Sequence, residues 1–158
     1  MYVLGVDFGG GSGKATLINE KGETVAKATA EYPTFYGENG KAEQNPLDWY
    51  AAACKNIRAV LRGIKAEEVK CVCFDAATLT AVLTDEHGAP VCNAVYWTDT
   101  RSVKEKRYLA ENFGEEIFGK CKHNVDTIWS LPEILYLKNN FPEAFKKAKK
   151  VTFAKDFV

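Results

Sequence analysis

The sequence predicts an α/β layered domain built on a mixed β-sheet with flanking helices. Two patterns point there: β-rich segments come first as a short meander, and later ones alternate with helical stretches. The 158 residues are 46% hydrophobic and 27% charged, which is enough apolar side chain for a core of one globular domain.

Taken in order, residues 2–8, 14–19 and 23–30 are β-rich, with Lys21-Gly22 supplying a tight turn between the last two. The first connection is dense in glycine. Residues 31–44 contain Pro33, Gly37 and Gly40 and read as a long surface loop. Asn45-Pro46 is a cap followed by proline at the first helical position, and Trp49, Ala53, Ile57, Val60 and Leu61 then form one apolar stripe. The run VKCVCF at 69–74 reads as a strand buried on both faces, ended by Asp75. Residues 80–84 and 91–96 flank DEHGAP and should pair as a hairpin. Helices are expected over about 102–112, over 131–138 with Ser130 as its cap, and over 142–149. A strand at 151–153 ends at Lys155-Asp156, where a helix starts.

Composition narrows the function. Twenty-one basic and 21 acidic residues cancel, so no long-range field gathers nucleic acid or anionic lipid, and the lysines at 146, 147, 149 and 150 read as a solvated helix face. No apolar run approaches the ~18 residues of a membrane span and MYVLGVDFGG lacks the features of a signal peptide, which predicts a cytoplasmic protein. The five cysteines form no C-x-x-C pair. Cys71 and Cys73 share one strand face, where a metal or redox role is conceivable, but their apolar neighbours favour reduced core thiols. A compact small-molecule site is the remaining expectation.

The stretch DFGGGSGK is where that site should lie. It lacks the glycine five positions before Gly-Lys, and the Ser or Thr after it, that a Walker-type loop needs. A dinucleotide fingerprint starting at Gly9 would place its third glycine at Lys14 and be followed by a strand rather than a helix. The letters Asp-Phe-Gly begin at residue 7, with no room before them for a protein-kinase lid or lysine strand. What survives is a hairpin loop whose amides, at Gly9, Gly10, Gly11 and Gly13, can wrap a phosphate chain. Ser12 and Lys14 add a hydroxyl and a charge, and Asp7 is placed to hold a hydrated Mg²⁺. A plain flexible hairpin with Asp7 as local cap is the bland alternative.

Three features together resemble the N-terminal domain of the FGGY carbohydrate kinases: the acid, glycine loop and lysine on the first hairpin, WTDTR at 97–101, and KDF at 155–157. The N-P-x-x-W helix entry at Asn45, Pro46 and Trp49 fits as well, and xylulokinase-like pentulose kinases are nearest in spacing. The resemblance implies a ribonuclease H-like fold of the actin-like ATPase type and ATP-dependent phosphorylation of a sugar hydroxyl. Xylulose or another pentulose is the implied acceptor, with ATP and Mg²⁺ as cofactors and Asp7 as catalytic metal-binding residue. It places Trp97, Asp99 and Arg101 at the sugar site, although the same three also fit an internal ion pair beside a core tryptophan. Thr78 and Leu79 fall where xylulokinases often carry a Met-His pair that touches sugar. Gly10 replaces a usual threonine, and Glu133 stands where a lysine is frequent, which reads as a surface difference.

The resemblance further implies a general base in a segment downstream of Val158 and a nucleotide domain absent from this chain, so that these residues alone are expected to be inactive. The implied partners are sugar, ATP and that second domain, with a homodimer also compatible. The competing reading is a non-catalytic actin-like module that binds sugar or nucleotide without transferring phosphate.

Overall fold

A computed structural model describes all residues 1–158. The chain divides into two compact units: residues 1–34, 45–77 and 154–158 form the first, and residues 35–44 and 78–153 the second.

The first unit is a four-stranded mixed sheet carrying one long helix. Strands β1 (Tyr2–Phe8), β2 (Ser12–Asn19) and β3 (Thr24–Glu31) form the expected antiparallel meander. Its second turn has Gly22 at φ +80°, a conformation that suits glycine, while the Asn19 side chain accepts the Lys21 and Glu23 amides. Helix α1 (Pro46–Val60) starts as the sequence predicts: the Asn45 side chain accepts the Leu47 amide at 3.1 Å and Pro46 opens the first turn. Its buried Trp49, Ala52, Ala53 and Asn56 face the sheet, whose Leu4, Val6, Phe8, Ala15 and Leu17 are buried in turn. The connection through α1 brings in β6 (Val69–Ala76) parallel to β1, so the strand order is β3-β2-β1-β6.

One expectation fails at β6. It is exposed along most of its length rather than buried on both faces, because it forms the sheet's edge. Phe74 stacks on Phe8 yet stays 42% exposed, and Cys71 and Cys73 are exposed free thiols rather than core residues. An apolar run specifies a strand but does not specify how many neighbours it has.

The second unit holds a five-stranded antiparallel sheet of order β4-β5-β8-β7-β9, made of β4 (Phe35–Tyr36), β5 (Ala42–Gln44), β7 (Ala81–Thr84), β8 (Ala94–Val95) and β9 (Lys150–Phe153). The expected loop over 31–44 therefore contains two strands, and all of β5 is buried. The β7–β8 hairpin is present, and Asp85 organises its turn by accepting the His87 and Ala89 amides. Helices α2 (Val103–Cys121), α3 (Ser130–Asn140) and α4 (Pro142–Lys147) cover this unit, with Leu83, Val95 and Leu137 at its core. Ser130 does not cap α3; its hydroxyl donates instead to the Leu79 carbonyl at 3.1 Å. The chain ends in the first unit with α5 (Ala154–Phe157), whose Phe157 meets Trp49 edge to face. No helix is long and apolar enough to cross a membrane.

Candidate functional site

The first unit places Asp7 one residue from the end of β1, directly across from Lys14 on β2 and beside Asp75 on β6. Parallel and antiparallel neighbours at one register point to the same sheet face, so these three side chains meet there. Lys14 Nζ lies 3.7 Å from the Asp7 carboxylate, with both side chains about half exposed. Such a solvated pair contributes no more than about 1 kcal/mol. Gly5, Asp7, Lys14, Thr16, Cys73 and Asp75 line a cavity of about 390 Å³ at this point. Asp75, which the sequence reading treats only as a strand terminus, is thus a wall of the site.

The glycine loop itself is shorter and more tied than the letters imply. Only residues 9–11 lie between β1 and β2. The Gly9 amide closes the hairpin by donating to the Ser12 carbonyl at 3.0 Å, so it does not face a ligand. Tyr32 donates through its hydroxyl to the Gly9 carbonyl at 2.6 Å and through its amide to the Gly11 carbonyl at 3.1 Å, and the Thr34 hydroxyl donates to the Gly10 carbonyl. The loop carbonyls are thereby engaged by the segment after β3. Gly13 is a packing glycine: a Cβ there would press on Ala52 at 3.3 Å, and its carbonyl accepts the buried Asn56 amide at 2.8 Å. Gly10 and Gly11 are exposed and Ser12 is half-buried at the strand start. Tyr32 and Thr34 were not singled out from sequence; the signal was the meander register, which sets Glu31 opposite Ser12 and so carries residue 32 to the loop.

These residues fit the groups that such a site implies. A half-exposed carboxylate beside an open cavity suits a cation that keeps most of its water, as Mg²⁺ does. Exposed Gly10 and Gly11 next to Lys14 suit phosphate oxygens.

The second unit gathers the other predicted residues. Because β7 and β8 are antiparallel with Ala81 opposite Val95, Thr78 and Leu79 just before β7 emerge at the same end as Trp97 just after β8. Thr78 is exposed, Trp97 is 42% exposed and tilts against Tyr96, and Leu79 adopts φ +65°. A non-glycine residue in that region is uncommon and costs on the order of 1 kcal/mol.

Asp99 and Arg101, implied at the sugar site, are joined in an internal network that holds the unit together. Asp99 is 2% exposed and accepts from the Ala42 amide at 2.8 Å, the Arg101 amide at 2.9 Å and the Arg101 guanidinium. Arg101 also donates to Glu43 at 2.7 Å and lies 5.0 Å over the Tyr136 ring. Burial pulls its guanidinium down, but the bonds from Asp99 and Glu43 outweigh it and hold the group above its ordinary value. The internal ion pair that the sequence left open is what the structure contains. Its carboxylates tie β5 to the turn after β8.

For Glu133 the expectation fails. Expected on the surface, it is fully buried at the start of α3, and neither carboxyl oxygen has a hydrogen-bond partner. Burial, with the charge of Asp99 added, pushes its carboxyl from an ordinary 4.5 up to about 9, which the nearby Ala81 amide offsets only weakly. It is a neutral acid at neutral pH. A larger cavity of about 1060 Å³ has Asn39, Arg101, Lys104, Tyr108, Tyr136 and Asn139 on its wall, but not Thr78, Leu79 or Trp97.

Residues 2–158 match the model of the FGGY family of carbohydrate kinases, N-terminal domain. A xylulose kinase of Bacillus subtilis (strain 168) is 29% identical over 159 residues, spanning 99% of this chain and 32% of that protein. A gluconokinase of the same strain is 27% identical over 158 residues, again across 99% of this chain and 31% of its own length. The crystal structure of a xyloylose kinase from Brucella ovis superposes with a TM-score of 0.90 at 24% identity, covering 99% of this chain and 33% of that one. The chain thus spans about a third of the length of the relatives it matches.

Proposed function

Since the chain belongs to the FGGY family of carbohydrate kinases as an N-terminal domain of that type, we propose that it forms the sugar-side part of an ATP-dependent kinase that phosphorylates a hydroxyl of a small polyhydroxylated substrate, a pentulose such as xylulose. The observation that carries this reading is the Asp7 carboxylate, half exposed at the end of β1 and latched to Lys14 above an open cavity.

In this reading Asp7 anchors hydrated Mg²⁺, and Asp75 raises the negative field around it. When bound, the metal offsets charge on the transferring phosphoryl group. Lys14 leaves its weak pair with Asp7 and contacts phosphate oxygens, while Tyr32 and Thr34 keep the loop carbonyls turned away from those anions. In the second unit Trp97 offers an aromatic face to the C–H side of the sugar, and Thr78 a hydroxyl to its oxygens. Asp99 and Arg101 position Trp97 through the turn in which the Asp99 amide donates to the Tyr96 carbonyl at 2.7 Å. The base that takes the acceptor proton belongs, by the family resemblance, to a segment downstream, so the 158 residues alone bind without turnover.

Sugar-dependent ADP release by the full gene product tests the reading. Activity with one or more of a panel of ketoses, aldoses and polyols, abolished by Asp7→Asn, is expected. Silence across the panel, with sugar or nucleotide still bound, would favour a non-catalytic module, for which the altered Thr78-Leu79 pair and the tied Gly9 amide leave room.

A further inference from the structure

The sequence reads Ser130 as the cap of α3, but its hydroxyl is engaged elsewhere, donating to the Leu79 carbonyl at 3.1 Å. That carbonyl belongs to an unusual residue. Leu79 sits at φ +65°, in the left-handed region that a β-carbon crowds and that leucine seldom enters. Two residues on, Ala81 is fixed from both sides, opposite Val95 of β8 and Phe153 of β9. Residues 78–80 precede this ladder, and two hydroxyls hold their backbone: Ser130 on the Leu79 carbonyl, and the fully buried Thr80 on the Thr78 carbonyl at 3.4 Å. Glu133, one turn beyond Ser130 on the same face of α3, is buried near the Ala81 amide, so the first turn of the helix lies along the entry to β7.

A leucine following its intrinsic preference would return to the extended or right-handed region. That change turns the peptide planes on either side of it and re-aims both the Leu79 side chain and Thr78. We propose that Ser130 is a positioning residue for acceptor selectivity: its hydroxyl holds Leu79 left-handed and so sets the direction in which Thr78 and Leu79 meet the sugar. This role rests on the sugar-kinase reading above and adds to it a residue that acts only through Leu79. Because Ser130 aims side chains that bind the acceptor and takes no part in the transfer, it governs the acceptor KM and the choice among acceptors, not kcat.

Steady-state kinetics of the full gene product test this, with ADP release followed against ketoses, aldoses and polyols. In Ser130→Ala the KM of the best acceptor should rise by about tenfold, the scale set by one hydrogen bond. Its kcat/KM advantage over the next acceptor should shrink, while kcat and the ATP KM stay within about twofold of the parent. Ser130→Thr, which keeps the hydroxyl, should restore both the KM and the advantage. Ser130→Cys, nearly the same shape with a weaker donor, should lie between parent and alanine variant, and it serves in place of the latter should that one not fold. An unchanged acceptor KM and selectivity, an equal rise in the ATP KM, or a threonine variant no better than alanine would overturn the role of Ser130 and leave the kinase reading standing. A parent silent across the panel overturns both.

Discussion

Replacing Glu133 by glutamine removes the only titrating step of a carboxyl that is buried without a hydrogen-bond partner. Its proton is held with a pKa of about 9 in the folded chain, against 4.5 for an ordinary glutamate. Below pH 4.5 both states are protonated and the group contributes no pH dependence. Above it the unfolded chain gives up the proton while the folded chain keeps it, so unfolding becomes progressively easier by about 1.4 kcal/mol per pH unit until the folded pKa is passed. At pH 7 the accumulated loss is about 3 kcal/mol, a sizeable share of the 5–15 kcal/mol that holds a typical domain. Glutamine has no such step. Urea unfolding of parent and Glu133→Gln between pH 4.5 and 8.5, followed by tryptophan fluorescence, should show the variant gaining on the parent as pH rises. The slope is the readout, because buried amide hydrogens add an offset that is the same at every pH. Parallel stability curves for the two proteins would refute the buried, neutral state of Glu133.

Other substitutions separate packing from chemistry. Asn56→Ala should destabilise by about 1–3 kcal/mol in urea unfolding, because it strands the buried Gly13 carbonyl under α1. Gly40→Ala should lower the melting temperature sharply, since φ there is +81° and an added methyl would run into the Thr100 side chain. Arg101→Met leaves the buried Asp99 without a cationic partner and Glu43 with Lys41 alone, and a loss of about 3–5 kcal/mol is expected by the same assay. Trp97→Ala should leave the melting temperature within a degree or two of the parent while weakening sugar binding measured by calorimetry. Tyr32→Phe should speed hydrogen exchange of the Gly10 and Gly11 amides by releasing the Gly9 carbonyl.

What the sequence makes legible is local. The meander, the Asn45-Pro46 helix start and the β7–β8 hairpin follow from alternation, capping and turn chemistry carried by a few adjacent residues. What it hides is set by partners far along the chain. β5 reads Ala-Glu-Gln, without a β-branched residue, and is a strand because β8 and β4 pair with it and Asp99 takes the Ala42 amide. Glu133 follows a proline at a helix start, where a charge ordinarily faces water, and only the tertiary fold buries it. At the candidate site, the pairing of Asp7 with Lys14 was legible because it needs only one hairpin. Asp75 and Tyr32 were not, since each arrives from another strand by register.

The buried ion pair sets how the residues around Trp97 are held. Asp99 is buried, and its hydrogen bonds fix both the Ala42 strand and the turn that bears Trp97. Tyr96 on one side of that tryptophan is buried and Asp99 is buried two residues beyond it, so the indole projects from a backbone anchored at both ends. Little conformational entropy would remain to be lost at Trp97 if a ligand packed on it. Thr78 and Leu79 sit at the same end of the hairpin, and the Leu79 carbonyl is fixed by Ser130 while its backbone stays in the left-handed region. On the proposed function, selectivity would rest on the side chains at this end, a threonine, a leucine and a tryptophan. The WTDTR segment is divided accordingly, with its tryptophan half exposed and its charged residues holding the frame.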